Sequence, residues 1–346
     1  MGVDIGDLCE KKPISLDSLE GKVIAVDAFN FLYQFLASIR QEDGTPLMDD
    51  RGRITGHLSG LFYRTVKLVE NGIKPVYVFD GMPTVMKEET RRKRQEAKES
   101  AMEKWKKALE EKRIKDAKKY AMATSRLTPE MVEESKLLLE GLGIPYVQAP
   151  GEGEAQAAVM AREGIVHAVA SQDYDALLFG SPVLVRNMSI TGRRKVPRQD
   201  RYVVVQPEEI MLRDLLKTLK INQKKLVWIG ILTGTDFNEG VRRVGPKTAL
   251  KIVTKEKNPD AIIKHVKEKY EHEFEVDVEK LVDFFLDPPY EEVKEKFRWG
   301  KVDSGKVEEL LVEEHDFSED RVSRTLERVI TAFAEKGAQK KLGDWF

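Results

Sequence analysis

The sequence predicts an α/β fold: a central, mainly parallel twisted sheet with helices on both faces. Three observations predict it. Short β-branched runs recur through the first two thirds of the chain, segments with helical apolar spacing lie between them, and three of four such runs end on or next to an acidic residue. Open sheets of this kind bind ligands outside the carboxyl ends of their strands, so the acidic ends are candidate site residues.

In chain order, the strand candidates are VIAVDA ending near Ala28, PVYVFD ending at Asp80, IPYVQAP ending at Pro150 and IVHAVASQD ending at Asp173. Helical spacing covers Ile54 to Glu70, Pro129 to Leu142 and Glu154 to Arg162. Met86 to Tyr120 differs: it is long and highly charged, its few large apolar residues are Met102, Trp105, Leu109 and Ile114, and its basic residues are densest in RRKR at Arg91 to Arg94. Such a run is either a solvated helix laced with i,i+4 ion pairs or a protruding element facing phosphates. After Pro207 helices are expected to replace strands through Ala338, and QKKLGDWF is expected to form a separate feature after a break at Gly337.

With 346 residues, 41% of them hydrophobic, the chain can build a substantial core. It lacks a run of eighteen or more uncharged apolar residues and a secretory start, which predicts an intracellular protein with no membrane partner. The lone Cys9 excludes an internal disulfide and argues against structural zinc. The net charge of −1 leaves nucleic-acid binding to the distribution of charge.

The chemistry rests on carboxylates. Asp27 and Asp80 each follow an apolar strand, although either alone fits a helix N-cap. Asp173 and Asp175 flank Tyr174 in SQDYD, and in extended geometry they share a face. Glu152 and Glu154 lie in PGEGEAQAA, where acidic residues favour a helix start and converge only if Gly151 and Gly153 bend the chain. Asp236 in TGTDFNEG is by itself a turn residue. Together these seven match the all-oxygen ligation of hard divalent ions, and two such ions about 4 Å apart hydrolyse phosphodiesters. The five histidines have no shared spacing that suggests a site. GVRRVGPKTA is not a Walker phosphate loop, because Pro246 separates Gly245 from Lys247.

These residues resemble the flap endonuclease family of structure-specific 5′ nucleases, most closely its archaeal members. The similarity runs from MGVDIG through VIAVDAFNFLYQFL, GHLSGLFYRT, KPVYVFDG, APGEGEAQAA, ASQDYDALLFG, LTGTDFNEG and VGPKTA to the tail. It implies that Asp27, Asp80, Glu152, Glu154, Asp173, Asp175 and Asp236 are the metal-site residues, holding two Mg2+ ions for which Mn2+ substitutes. It implies that Tyr33, which periodicity alone makes core, stacks a base, and that Lys87 and Arg94 face the cleaved phosphate from a helical arch at about 82–125. GVRRVGPKTA resembles the family's helix-two-turns-helix element, with Gly245, Lys247 and Thr248 gripping a duplex phosphate and K+ nearby. Arg242 and Arg243 stand where the family usually has an apolar residue and glycine. Gly2, Arg91, Arg92, Arg193 and Arg194 are expected as further DNA contacts, the last two in the basic turn GRRKVPRQDR, which by itself reads as a solvated hairpin and otherwise adds a duplex contact.

The resemblance also implies a sliding-clamp box at Gln339, Leu342, Trp345 and Phe346. The expected organisation is one nuclease domain over 1–336, with regions at about 1–125, 126–260 and a helical 261–336, and a clamp-binding tail at 337–346. The expected protein is a monomer, cytoplasmic in an archaeon or nuclear in a eukaryote, that cuts branched DNA near a 5′ flap in replication and repair. The chain ends at Phe346, where eukaryotic relatives continue with a basic tail, and this favours the archaeal alternative. The other readings are a related 5′ exonuclease or junction-resolving nuclease, and a non-enzymatic DNA-binding or clamp-adaptor module.

Overall fold

The computed structural model describes residues 2–82, 87–189, 192–195 and 202–343, with the backbone alone at 88–91, 93–94, 192–195, 202–204 and 336–343. A seven-stranded sheet runs in the order β1 (Lys12–Pro13), β9 (Glu208–Met211), β6 (Val183–Arg186), β5 (Ala168–Ala170), β2 (Val23–Asp27), β3 (Lys74–Phe79), β4 (Tyr146–Gln148). From β6 to β4 all neighbours are parallel, whereas β9 lies antiparallel on β6 and β1 antiparallel on β9. Strand β9 begins just after Pro207, so one strand outlasts the point where helices were expected to take over.

Alternate strand residues feed two cores, which is why the strands read as unbroken apolar runs. Ala25, Val76, Val78 and Val169 meet α6 (Gly153–Arg162), α7 (Asp175–Leu178), α8 (Leu212–Leu219) and α9 (Gln223–Thr233). Helices α10 (Pro246–Lys255), α11 (Pro259–Tyr270) and α12 (Val278–Leu286) extend that core. Ile24, Val26, Tyr77 and Ala170 meet α1 (Ala28–Ser38), α2 (Gly56–Glu70), α5 (Pro129–Gly141), α13 (Ser304–Glu308) and α14 (Glu319–Gly343). The pairing of Asp27 with Val78 and of Val26 with Ala170 brings the carboxyl ends of β2, β3 and β5 level.

The charged segment forms two helices, α3 (Glu88–Glu110) and α4 (Ile114–Met122), packed on each other. Their buried residues include Ala101, Ala108, Ala117 and Ala121. Alanines let two helices approach closely without the large apolar residues that periodicity searches detect. At the other end, α14 continues through Gly337 to Gly343, so the expected break is absent. One glycine weakens a helix by about 1 kcal/mol and does not by itself end it.

The fold also joins histidines that the sequence left unrelated. His57 Nε2 lies 2.9 Å from Glu134 Oε2, and His315 Nε2 lies 3.3 Å from Glu134 Oε1. His315 Nδ1 is 3.0 Å from Asp49 Oδ2, which also accepts from Arg53 Nε at 2.7 Å. Both histidines are buried. Burial works to raise the Glu134 carboxyl, but hydrogen bonds from His315 and His57 outweigh it and hold it at about 2. The bond to Glu134 raises His315 against the effect of burial.

A raised histidine contributes stability that is fully present below its unfolded value of 6.5 and is lost as pH climbs through its folded value. Glu134 contributes stability that is fully present above 4.5 and is lost as pH falls towards about 2. The melting temperature should therefore fall between pH 6 and pH 9, and His315→Gln should flatten that slope. An equal slope in both proteins, measured calorimetrically, removes His315 as its source.

Candidate active site

Each acidic residue is placed by a different element. Asp27 ends β2 and caps α1, its Oδ1 accepting from Asn30 N at 3.0 Å. The helix-cap and site readings are thus both met by one side chain. Asp80 follows β3, and its Oδ1 accepts from Gly153 N at 2.7 Å. Glu152 is the N-cap residue of α6 with extended backbone, so it lies off the helix that carries Glu154. Gly153 is required between them, because a Cβ there would lie 2.7 Å from Asp80 Oδ1.

The extended geometry expected for Asp173 and Asp175 is not found. Strand β5 stops at Ala170, a turn follows, and Asp175 opens α7. The two still converge, on the N-terminal segment: a Cβ on Gly2 would lie 2.6 Å from Asp175 Oδ2 and 2.9 Å from Asp173 Cβ. Val3 N donates to Asp175 Oδ1 at 2.7 Å. Asp236, in the loop after α9, reaches the same edge and lies 3.7 Å from Lys87 Nζ.

Burial among like charges disfavours ionisation. Asp27 is pushed up to about 8 by burial and by Asp80 and Asp173. Burial and Asp236 take Asp175 to about 7, and burial and Glu152 take Asp80 to about 6. Glu154 is raised by burial, Asp27 and Asp175. These mutual effects tie the acidic residues into one electrostatic unit, whose charge a cation would relieve. Lys87 supplies one: its ammonium bonds Glu152 and lies 5.0 Å from the Phe237 ring centroid. Burial opposes the charge on Lys87, but Glu152, Asp236 and Asp80 together raise its affinity for the proton.

The donor set, all oxygen and partly occupied by an ammonium, fits hard divalent cations. Among the described residues no three acidic or histidine side chains close directly on one ion.

Two polar residues that sequence reasoning missed hold this edge in shape. Asn30 Nδ2 donates to Asp173 Oδ2 at 3.2 Å while its Oδ1 accepts from Gln172 N at 3.1 Å. Ser171 Oγ lies 2.6 Å from Glu154 Oε1 and 3.2 Å from Asp27 Oδ2, and it accepts from Asp173 N at 3.2 Å. Their signal was adjacency: each stands within three residues of a carboxylate at a strand end, in VDAFN and ASQD.

The remaining expected contacts fall on other elements. Tyr33 is 37% exposed on α1, not core, and Lys98 Nζ stands 5.1 Å from its ring centroid. Lys87 immediately precedes α3, which carries Arg91, Arg92 and Arg94; Arg92 pairs with Glu96 at 3.3 Å. Arg193 and Arg194 fall in β7 (Gly192–Lys195), which pairs antiparallel with β8 (Tyr202–Val205). Gly245 precedes α10, which starts without a side-chain cap and has open space where a Gly245 Cβ would point. Lys247 meets Asp7 at 3.7 Å in an exposed pair worth little, and the Thr248 amide donates to Gly245 O. Gln339 and Leu342 fall within α14, while Trp345 and Phe346 lie outside the described residues, as does Met86 at the start of the charged segment.

Comparison with known proteins shows the family and the fold. The XPG N-terminal domain family matches residues 6–101 and the XPG I-region family matches 143–236. Flap endonuclease 1 of Thermococcus onnurineus is 51% identical over 347 aligned residues, covering 100% of this chain and 99% of its own length. The structure of flap endonuclease-1 from Methanococcus jannaschii aligns with a TM-score of 0.74 and 40% identity, over 97% of this chain and 100% of that one. The catalytic core of Rad2 in complex with DNA substrate aligns with a TM-score of 0.66 and 25% identity, over 94% and 98%.

One residue departs from its surroundings in a measurable way. Arg243 holds φ +69 in the turn before Gly245, the left-handed region that favours glycine. Arg243→Gly should therefore stabilise the DNA-free protein by about 1 kcal/mol, seen as a higher denaturation midpoint at unchanged slope. A lower midpoint would mean that the arginine side chain contributes more than its backbone costs.

Proposed function

The chain belongs to the flap endonuclease family, and on that premise we propose that Asp27, Asp80, Glu152, Glu154, Asp173, Asp175 and Asp236 hold two Mg2+ ions, or Mn2+ in their place, at the carboxyl edge of the sheet. The protein is a metal-dependent nuclease that hydrolyses phosphodiester bonds of branched DNA near a 5′ flap. The observation that carries the site assignment is the electrostatic unit of buried carboxylates, several with raised proton affinity, gathered around the Lys87 ammonium.

Bound magnesium supplies an acidified water and stabilises the departing oxygen. The chain's own residues position the strand. Tyr33, exposed on the helix that Asp27 caps, stacks the base next to the scissile phosphate. Lys87 exchanges its carboxylate contacts for that phosphate, and Arg94, two helical turns along, joins it from the arch. Gly2 lets the N-terminal segment lie flat against Asp173 and Asp175, where a side chain would fill the space. The uncapped start of α10, with Gly245, Lys247 and Thr248, takes a duplex phosphate. A K+ ion near that turn, and Arg91, Arg92, Arg193 and Arg194 along the flanks, complete the backbone contacts. The protein acts as a monomer, with regions at 1–125, 126–260 and 261–336; the clamp-binding tail from 337 begins as a continuation of α14 and not after a break.

That tail carries Gln339, Leu342, Trp345 and Phe346, which dock a sliding clamp, coupling cleavage to replication and repair in the cytoplasm of an archaeal cell. Among the described residues no helix is long and apolar enough to cross a membrane.

A panel of labelled substrates tests the activity: a 5′ flap, a 3′ flap, a four-way junction and plain duplex, each with magnesium or chelator. Preferential cutting of the 5′ flap is expected, lost in chelator and reduced on the order of 10²-fold or more by Asp173→Ala. Equal cutting of all four substrates, or activity surviving chelator, would overturn the reading. Deleting 339–346 should abolish stimulation by the clamp and leave basal cleavage intact; loss of basal cleavage would make the tail structural.

A further inference from the structure

Beside the active site, between the arch helices and the body, lies a second feature that the reaction does not use. A cavity of about 530 Å³ separates the end of α1 and the following loop from α3 and the chain entering α5. Met48 and Ile54 form one wall, Met102 and Trp105 the other, with Lys98 and Arg126 at its margin. Arg40 ties the floor together, donating to Leu36 O, Gly44 O and Ser125 Oγ at 2.9–3.0 Å.

Three observations describe its ligand. The walls are mainly apolar and include an indole, a surface suited to a flat aromatic ring. Trp105 Nε1 is shut off from solvent, so the indole offers the cavity its ring and not its N–H. The charges at the lining, Arg40, Lys98 and Arg126 against Glu99, leave a positive excess. Lys98 links the cavity to Tyr33, because it both lines the cavity and covers the Tyr33 ring.

We propose that this cavity binds one unpaired nucleobase of the 5′ strand, the next beyond the base stacked on Tyr33. Trp105 and Met102 lie against the base, and Lys98 and Arg126 face the adjoining phosphates. Any base presents a π-face, so the subsite grips the flap without reading its sequence. The inference rests on the 5′-flap reading and adds a positioning contact to it.

The test is equilibrium binding in chelator, so that cleavage plays no part. The probes are a 5′-flap DNA, the same flap with one abasic residue scanned along it, and flapless duplex. In the wild type an abasic residue at the position next beyond the base stacked on Tyr33 should weaken binding about tenfold. Trp105→Ala should weaken binding of the intact flap by a similar factor, erase the abasic effect at that position and leave duplex binding unchanged. Met102→Glu, on the same wall, should act likewise, which guards against a folding defect in one variant. An abasic effect at no position, or one undiminished in both variants, overturns the subsite. If the wild type holds flap DNA no better than duplex, the 5′-flap reading itself fails, and the subsite with it.

Discussion

The repulsion among buried carboxylates is the constraint around which this molecule is arranged. Charges of one sign at the edge of an apolar sheet are expensive to assemble, since burial alone disfavours each ionised group and its neighbours add to the cost. The raised proton affinities of Asp27, Asp80, Glu154 and Asp175 record that cost. A fold can hold such groups together only if the rest of its packing is rigid. The double-sided core under the parallel strands supplies that rigidity, with Ile24, Ala25 and Val26 fully buried directly behind Asp27.

Local devices offset part of the repulsion without neutralising it. Helix starts point backbone amides at two of the carboxylates, Asn30 N at Asp27 and Gly153 N at Asp80, where the positive end of the helix dipole adds to the hydrogen bond. Asn30 and Ser171 stitch side chains from neighbouring strand ends to each other. The Lys87 ammonium then enters as a counter-charge from outside the sheet. Because it sits at the head of α3, the state of the carboxylate edge and the position of the arch are mechanically linked.

The strands and the acidic edge were legible in the sequence because both leave short-range signals: β-branched runs, and an acidic residue where three of the four runs stop. Asp27 and Asp80 are readable this way, and the glycines around Glu152 and Glu154 announce the bend that separates them. Long-range signals were not legible. Strands β1 and β9 are short and pair only at the sheet margin, so neither has an apolar run of its own. The packed face of the arch is built from alanines that composition cannot distinguish from helix filler. His57 and His315 carry no shared spacing because their partner, Glu134, sits on a third element. Asn30 and Ser171 are ordinary polar residues until the fold sets them between carboxylates.

That histidine junction has a consequence in time. The bond between His315 and Asp49 spans 266 residues, as does the one from Asp50 N to Asp316 Oδ2. Contacts of such separation bear the full entropy of closing a long loop, and a chain made from its N-terminus cannot form them until its last stretch has emerged. The loop around Asp49 and Arg53, which continues into the Met48 and Ile54 wall, is thus among the last parts to be fixed. A partly synthesised chain can fold its sheet and gather its carboxylates, but it has no finished surface beside the arch until synthesis is nearly complete.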